Sequence, residues 1–219
     1  MADVTLAYQS KIASIKAAIA ISGPLGNPSK MPGRAYGLPA AACHVGSELR
    51  KVPGSTCSKC YALRGNYQYD VVLSCQYKRL ESITHPQWID AMVYLIERQV
   101  SRSDPFFRWH DSGDLQSFQH LANIVTIARK LPWVKFWLPT RESAIVKEYS
   151  RLNPIPRNLR IRVSAAMVDG PAPCAAHTST VHKASKAPGF KCGAPSRDNH
   201  CGSCRACWQG YANVSYHVH

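Results

Sequence analysis

The middle of the chain switches between two hydrophobic periods. Residues 106–110, 134–138 and 159–164 are short runs rich in aromatic and branched side chains, as strands are. Between the first two, Phe118, Leu121, Ile124, Val125, Ala128 and Leu131 recur at helical spacing over residues 116–131, and residues 142–152 carry a second helical pattern. Strands alternating with helices predict a β-α-β-α-β run and therefore a parallel sheet. Right-handed crossovers would place the helices on one side of it. Upstream, residues 4–22 read as a helix, with Tyr8, Ile12, Ile15 and Ile19 in register, ended by Gly23-Pro24. Residues 34–40 read as a short extended piece. Residues 69–83 and 86–100 read as helices, with Pro86 tolerated in the first turn of the second. Beyond Ser164 regular patterning fades, and residues 171–189 read as loop.

Strand parity sharpens this picture. Arg160, Arg162 and Ser164 fall on one face of their strand, with Leu159, Ile161 and Val163 on the other. Arg108 and His110 likewise alternate with Phe107 and Trp109. One face would pack helices. The other would be a polar, concave interior able to bind a small anion such as a carboxylate or phosphate, unless it lies exposed to solvent.

In parallel α/β folds, sites form at the C-terminal ends of strands. Here those ends read His110-Asp111-Ser112-Gly113-Asp114, Pro139-Thr140-Arg141-Glu142 and Ser164. Asp111 or Asp114 can bind an ammonium or hydroxyl, and Gly113 lets a ligand approach the backbone. The competing reading is that Ser112 or Asp114 caps the next helix.

With 219 residues, 45% hydrophobic and 18% charged, the chain can bury one core. The expected division is an α/β domain over residues 1–170 and a cysteine-rich extension over residues 171–219. The net charge of +14 favours an anionic partner, nucleic acid or another polyanion, over a neutral one. Lys11 and Lys16 interrupt the N-terminal apolar residues, so neither a secretory leader nor a membrane span is expected, and a reducing cytoplasm is the expected compartment.

The nine cysteines add the chemistry. Cys201, Cys204 and Cys207 fall at C-x2-C-x2-C with Cys192 upstream, the local spacing of ferredoxin-type cluster loops. Cys57 and Cys60 form another C-x2-C pair after Cys43. Three thiolates can hold three irons of a [4Fe–4S] cubane and leave the fourth open, whereas four close it. Zinc held by Cys57, Cys60 and two C-terminal cysteines is the alternative, and disulfides a third. Cys75, on a helix, reads as a buried hydrophobe, and Cys174, in a proline-rich loop, as a bystander. His44 and His200 stand beside cysteines as reserve ligands.

Several motifs together resemble the bacteriophage gene-product-88-like family. They are Lys30-Met31-Pro32-Gly33, Leu38-Pro39-Ala40, Gly54 to Ala62, Phe107 to Ser117, Phe136 to Glu142, Arg160 to Ser164 and Cys201 to Trp208. More remotely, the order of cysteine loop, Asp-bearing strand end and Thr-Arg strand end resembles radical-SAM-like proteins of the spore photoproduct lyase group. That resemblance implies an α/β fold built as a partial TIM-type parallel barrel with a cysteine-rich metal-binding extension. It implies a [4Fe–4S] cluster at Cys43, Cys57 and Cys60, and an auxiliary one at Cys192, Cys201, Cys204 and Cys207. It implies S-adenosylmethionine or another ligand near Asp111, Ser112, Gly113, Asp114, Arg141, Arg162 and Ser164. The spacing from Cys43 to Cys57 departs from the usual C-x3-C-x2-C loop. The expectation is an iron–sulfur protein, with redox or radical chemistry if it is an enzyme. The alternative is a basic, metal-stapled nucleic-acid-binding protein, in which Trp208, Tyr211 and Tyr216 stack bases beside Lys191, Arg197 and Arg205. Electron transfer without a substrate is a third reading.

Overall fold

The computed structural model describes residues 12–183 and 187–218. Seven parallel strands form one sheet: β1 (Arg34–Tyr36), β2 (Phe106–Trp109), β3 (Lys135–Thr140), β4 (Leu159–Val168), β5 (Thr178–His182), β6 (Phe190–Lys191) and β7 (Asn213–His217). Their order is β1-β2-β3-β4-β5-β7-β6, and the sheet is not closed among the described residues. The helices are α1 (Ile15–Ser22), α2 (Val45–Arg50), α3 (Asp70–Ser82), α4 (Trp88–Gln99), α5 (Phe118–Lys130) and α6 (Ser143–Leu152). Among the described residues no helix is long and apolar enough to cross a membrane.

Local chemistry sets the ends of these elements. α1 begins where the Ser14 hydroxyl accepts from the Ala17 N–H at 3.1 Å, and stops at Gly23, whose φ of 75° suits only glycine without strain. The expected helix from residue 4 therefore starts later within the described part. Ile12 is buried ahead of it, and Tyr8 lies outside the described residues. α5 is capped by Ser117, whose hydroxyl accepts from the His120 N–H.

The expected parity holds in β2, β3 and β4. Phe107, Trp109, Phe136, Leu138, Leu159 and Ile161 join one apolar core with residues of α1, α4, α5 and α6. The opposite face carries Arg108, Trp137 and Arg160 side by side in register across β2, β3 and β4, with Pro139 and Arg162 in register one pleat further on. His110 departs from the expectation. The left-handed φ of 53° ends the alternation after Trp109. The imidazole is buried against His120, with ring centroids 5.4 Å apart, and does not join the arginine face.

The loop expected at residues 171–189 is only partly a loop. β4 runs on to Val168, β5 follows, and β6 and β7 continue the same sheet through the cysteine-rich segment. These strands are short, no α-helix joins them among the described residues, and the sequences of β5 and β7, Thr-Ser-Thr-Val-His and Asn-Val-Ser-Tyr-His, are largely polar. Thr178, Thr180 and Ser215 are nonetheless buried, with Thr180 Oγ1 bonded to Ser215 Oγ at 3.0 Å.

Candidate functional site

All nine cysteines are free thiols. The seven singled out by spacing fall into two sets: Cys43, Cys57 and Cys60 near Arg141, and Cys192, Cys201, Cys204 and Cys207 near Arg108.

The first set lies where the strands end. After β1 the chain turns through Ala40–Ala42 to Cys43, then through α2 to Cys57 and Cys60. Thr56 docks this loop on β4: its N–H donates to the Ala166 carbonyl at 2.8 Å, and its hydroxyl reaches the Ala165 and Ala166 carbonyls. Gly46 leaves room for the thiols. A Cβ there would lie 3.0 Å from Cys43 Cβ, 3.6 Å from Cys43 Sγ and 3.7 Å from Cys57 Sγ. Burial pushes the Cys43 thiol up to about 12, and Asp114, Cys60 and Cys57 push the same way against Arg141. The Cys57 thiol is raised by burial and by Cys60, against Arg141. Without a metal these thiols are held neutral. Ligation to a cation reverses that preference by favouring thiolate.

The polar strand ends knit this loop to the sheet. Asp114 accepts from Thr140 Oγ1 at 2.5 Å and from the N–H groups of Arg141 and Leu115 at 2.8 Å. Burial nevertheless raises its carboxyl to about 6. Arg141 donates from Nε to Thr56 Oγ1 at 3.1 Å and also from Nη2. Glu142, at the end of the strand-end motif, is buried, and Oε1 accepts from the Val45 N–H at 3.0 Å. Ser112 Oγ donates to the Leu38 carbonyl at 2.8 Å and accepts from Gln76 at 2.9 Å. Gly113, at φ 74°, passes so close to Leu38 that a Cβ would lie 2.6 Å from that residue's Cβ. Asp111 Oδ1 is buried without a hydrogen-bond partner, pressed against Gly37. Ser164 bonds Ser179 at 3.0 Å across β4 and β5. Of the expected ligand-binding residues, Ser112, Asp114, Arg141 and Ser164 thus direct polar atoms into the fold itself.

The second set spreads along the sheet: Cys192 directly follows β6, and its N–H donates to the Ser215 carbonyl of β7 at 2.8 Å. The Cys201 N–H donates to the Lys30 carbonyl ahead of β1, and Arg205 pairs with Asp104 ahead of β2 at 3.1 Å. The Cys207 thiol is pushed up to about 12 by burial, with Cys192 adding to it and the Tyr216 hydroxyl, 3.1 Å from the sulfur, opposing. Cys201 is raised by burial and by Cys192 and Cys204. Arg162 lies beneath this segment, fully buried. Its guanidinium donates to five main-chain carbonyls, of Cys207, Thr178, Tyr211, Ala206 and Gln209, at 2.8–3.2 Å. This arginine was expected to line a ligand pocket, but its donors are filled by the chain. Trp208 completes the anchor, bonding the Phe107 carbonyl at 2.9 Å and packing on Phe106 and Trp137.

Cys75 and Cys174 belong to neither set: Cys75 lies on α3 near Tyr36, and Cys174 is exposed. His44 precedes α2 without capping it by its side chain, and His200 is partly exposed beside Asp198. Among the described residues no three His, Cys, Asp or Glu side chains are gathered closely enough to cage a single metal ion.

The fold and this site define an α/β protein built on a seven-stranded parallel sheet, with two sets of free thiols on one face. Compared with known families, residues 8–210 match the model of Gene product 88. The chain belongs to this phage family. No curated protein matches the chain, and no solved structure does.

Proposed function

We propose that this chain is an iron–sulfur protein on a partial, radical-SAM-like barrel. Cys43, Cys57 and Cys60 would hold an open [4Fe–4S] cluster, and Cys192, Cys201, Cys204 and Cys207 a closed one. The observation that carries this reading is the separation of the thiols into two sets, Cys43 with Cys57 and Cys60 and, apart from them, Cys201 and Cys207 with Cys192 and Cys204. A zinc ion shared between the sets is disfavoured by that separation. A tetrahedral zinc needs its sulfurs about 3.8 Å apart around one point. A cluster takes each thiolate at a different iron, and so suits sets that are neighbourly without caging one ion. Gly46 packs its backbone closely against Cys43, with the Cys43 and Cys57 sulfurs on the same side, which brings these two thiols to one place.

The protein's own part is positional. Thr56, Asp114, Arg141 and Glu142 fix the three-cysteine loop on the strand ends. Arg162 and Trp208 fix the four-cysteine segment. A bound cluster would supply one-electron chemistry. S-adenosylmethionine is the leading ligand for the open position, and its expected neighbour with an unengaged polar atom is Asp111. Protein prepared without oxygen should contain iron and acid-labile sulfide and absorb broadly in the visible. Zinc with neither would overturn the reading. Iron without reductive cleavage of S-adenosylmethionine would remove the radical chemistry and leave the metalloprotein.

A second reading, nucleic-acid binding, has its own observation. A cleft of about 350 Å³ is lined by Phe190, Tyr211, Arg197 and Arg205, with Phe190 and Tyr211 ring centroids 4.6 Å apart. Trp208 is buried in the anchor and Tyr216 is turned to Cys207, so Tyr211 with Phe190 replaces them as the stacking surface. Single-stranded DNA should shift in a gel at low salt and be released steeply as salt rises. No shift at low salt removes this reading.

A further inference from the structure

Two of the three arginines on the shared sheet face, Arg108 and Arg162, differ in one respect. Every donor direction of Arg162 ends on a carbonyl. Arg108, at mid-strand, has few well-formed hydrogen bonds, although the Asp111 carboxylate and the Tyr61, Tyr216 and Tyr67 hydroxyls lie close enough to act on its charge. Its Nε is sealed from solvent and has no partner. Nη1 meets only the Met31 sulfur, at 3.6 Å, and a thioether is a weak acceptor. Nη2 meets the Tyr61 hydroxyl at a long 3.4 Å. No ion pair includes Arg108 among the described residues. The guanidinium lies over the Trp137 ring, 4.5 Å from its centroid, which fixes its plane without using its in-plane N–H groups. A partly buried cation with so few acceptors is costly unless something answers it.

We propose that Arg108 anchors a small oxyanion, a carboxylate or a phosphate, on the arginine-bearing face of the sheet beside Tyr61. The guanidinium fork matches either group with two parallel hydrogen bonds. Tyr61 is the way in: it is 46% exposed, and its hydroxyl also donates to the Asp111 carbonyl at 2.5 Å. It directly follows Cys60, so a ligand held at Arg108 lies next to the three-cysteine loop. Tyr67 packs edge-on against Tyr61, ring centroids 5.5 Å apart, and extends this phenolic wall. This ligand site does not depend on which metal the thiols take.

The test is calorimetric titration of the full chain, prepared without oxygen, with inorganic phosphate and separately with succinate at constant ionic strength, iron being determined on the same sample. One saturable site is expected, weakened at least about thirtyfold in Arg108→Gln and less in Arg108→Lys. Arg160→Gln, whose arginine stands on the same face beside His177, should bind as the wild type does. Tighter phosphate binding assigns a phosphorylated ligand, and tighter succinate binding a carboxylate. Unchanged binding in a folded Arg108→Gln overturns the proposal, as does equal weakening by Arg160→Gln. If Arg108→Gln does not fold, wild-type binding that chloride matches, or Arg108→Lys equal to wild type, overturns it as well. Saturable binding in protein that holds no iron would keep the proposal and remove the cluster reading.

Discussion

The two cysteine sets are held by opposite means. The four-cysteine segment rests on a buried guanidinium that gathers five carbonyls and on an indole wedged among aromatics, with little freedom left between them. The three-cysteine loop is tied at its edges by carboxylate and hydroxyl bonds, Glu142 to the Val45 N–H and Thr56 to the β4 carbonyls, with Gly46 packed closely on Cys43. One set is held by a buried cation and an indole, the other by hydroxyls and a carboxylate. Under the proposed function the first set is a staple and the second the place for chemistry.

The largest break in that comparison should come from Arg162→Leu. Five carbonyls, two of them in buried bonds, lose their donor together, and the variant should lose about 3 kcal/mol or more in urea denaturation. Metal at Cys192, Cys201, Cys204 and Cys207 should go first.

Acid tests the other end. His110 and His120 are buried beneath the loop bordering the three-cysteine set. Burial lowers His120 to about 3, and His110 well below its ordinary value. As pH falls through 6.5 the unfolded imidazoles take protons and the folded ones do not, so stability is lost on acidification. Asp114 works in the opposite direction. With its folded value near 6 above an unfolded value of 3.8, its contribution is present at low pH and lost as pH rises through 6. Two imidazoles outweigh one carboxyl, so stability should drop by about 3 kcal/mol between pH 6.5 and 4. His120→Phe should flatten this slope in denaturation curves taken across pH.

Gly46→Ala sharpens the comparison directly. Its methyl would meet Cys43 Cβ at 3.0 Å and crowd two sulfurs. The expected cost is about 1–2 kcal/mol, with iron lost from the three-cysteine set alone. The smallest effect belongs to Cys75→Ala and Cys174→Ala. Neither cysteine joins a set, so metal content should not change and stability should shift by under about 1 kcal/mol.

Much of this architecture was legible from the chain. The parity of Arg160 and Arg162 against Leu159 and Ile161 is a purely local signal, and a sheet with one apolar face preserves it. The cysteine sets followed from spacing. The strands β5, β6 and β7 did not, because they are short, no α-helix joins them among the described residues, and β5 and β7 are largely polar. Their buried hydroxyls pair across strands, which no hydrophobic period reveals. The contrast between Arg108 and Arg162 was also hidden: both alternate identically, and only the return of residues 206–211 over the sheet fills one and leaves the other. His110 was misplaced because a left-handed residue at a strand end turns the side chain from one face to the other.

The most direct test counts iron and acid-labile sulfide per chain, without oxygen, in the wild type and two variants. One carries Cys43→Ala, Cys57→Ala and Cys60→Ala; the other carries Cys204→Ala alone. Two separate clusters predict about eight irons in the wild type. The triple variant should keep about half with a rigid, oxygen-tolerant spectrum, and Cys204→Ala should keep the cluster of the three-cysteine set. Zinc without sulfide in the wild type, or loss of all metal from the triple variant while it stays folded, would contradict the account.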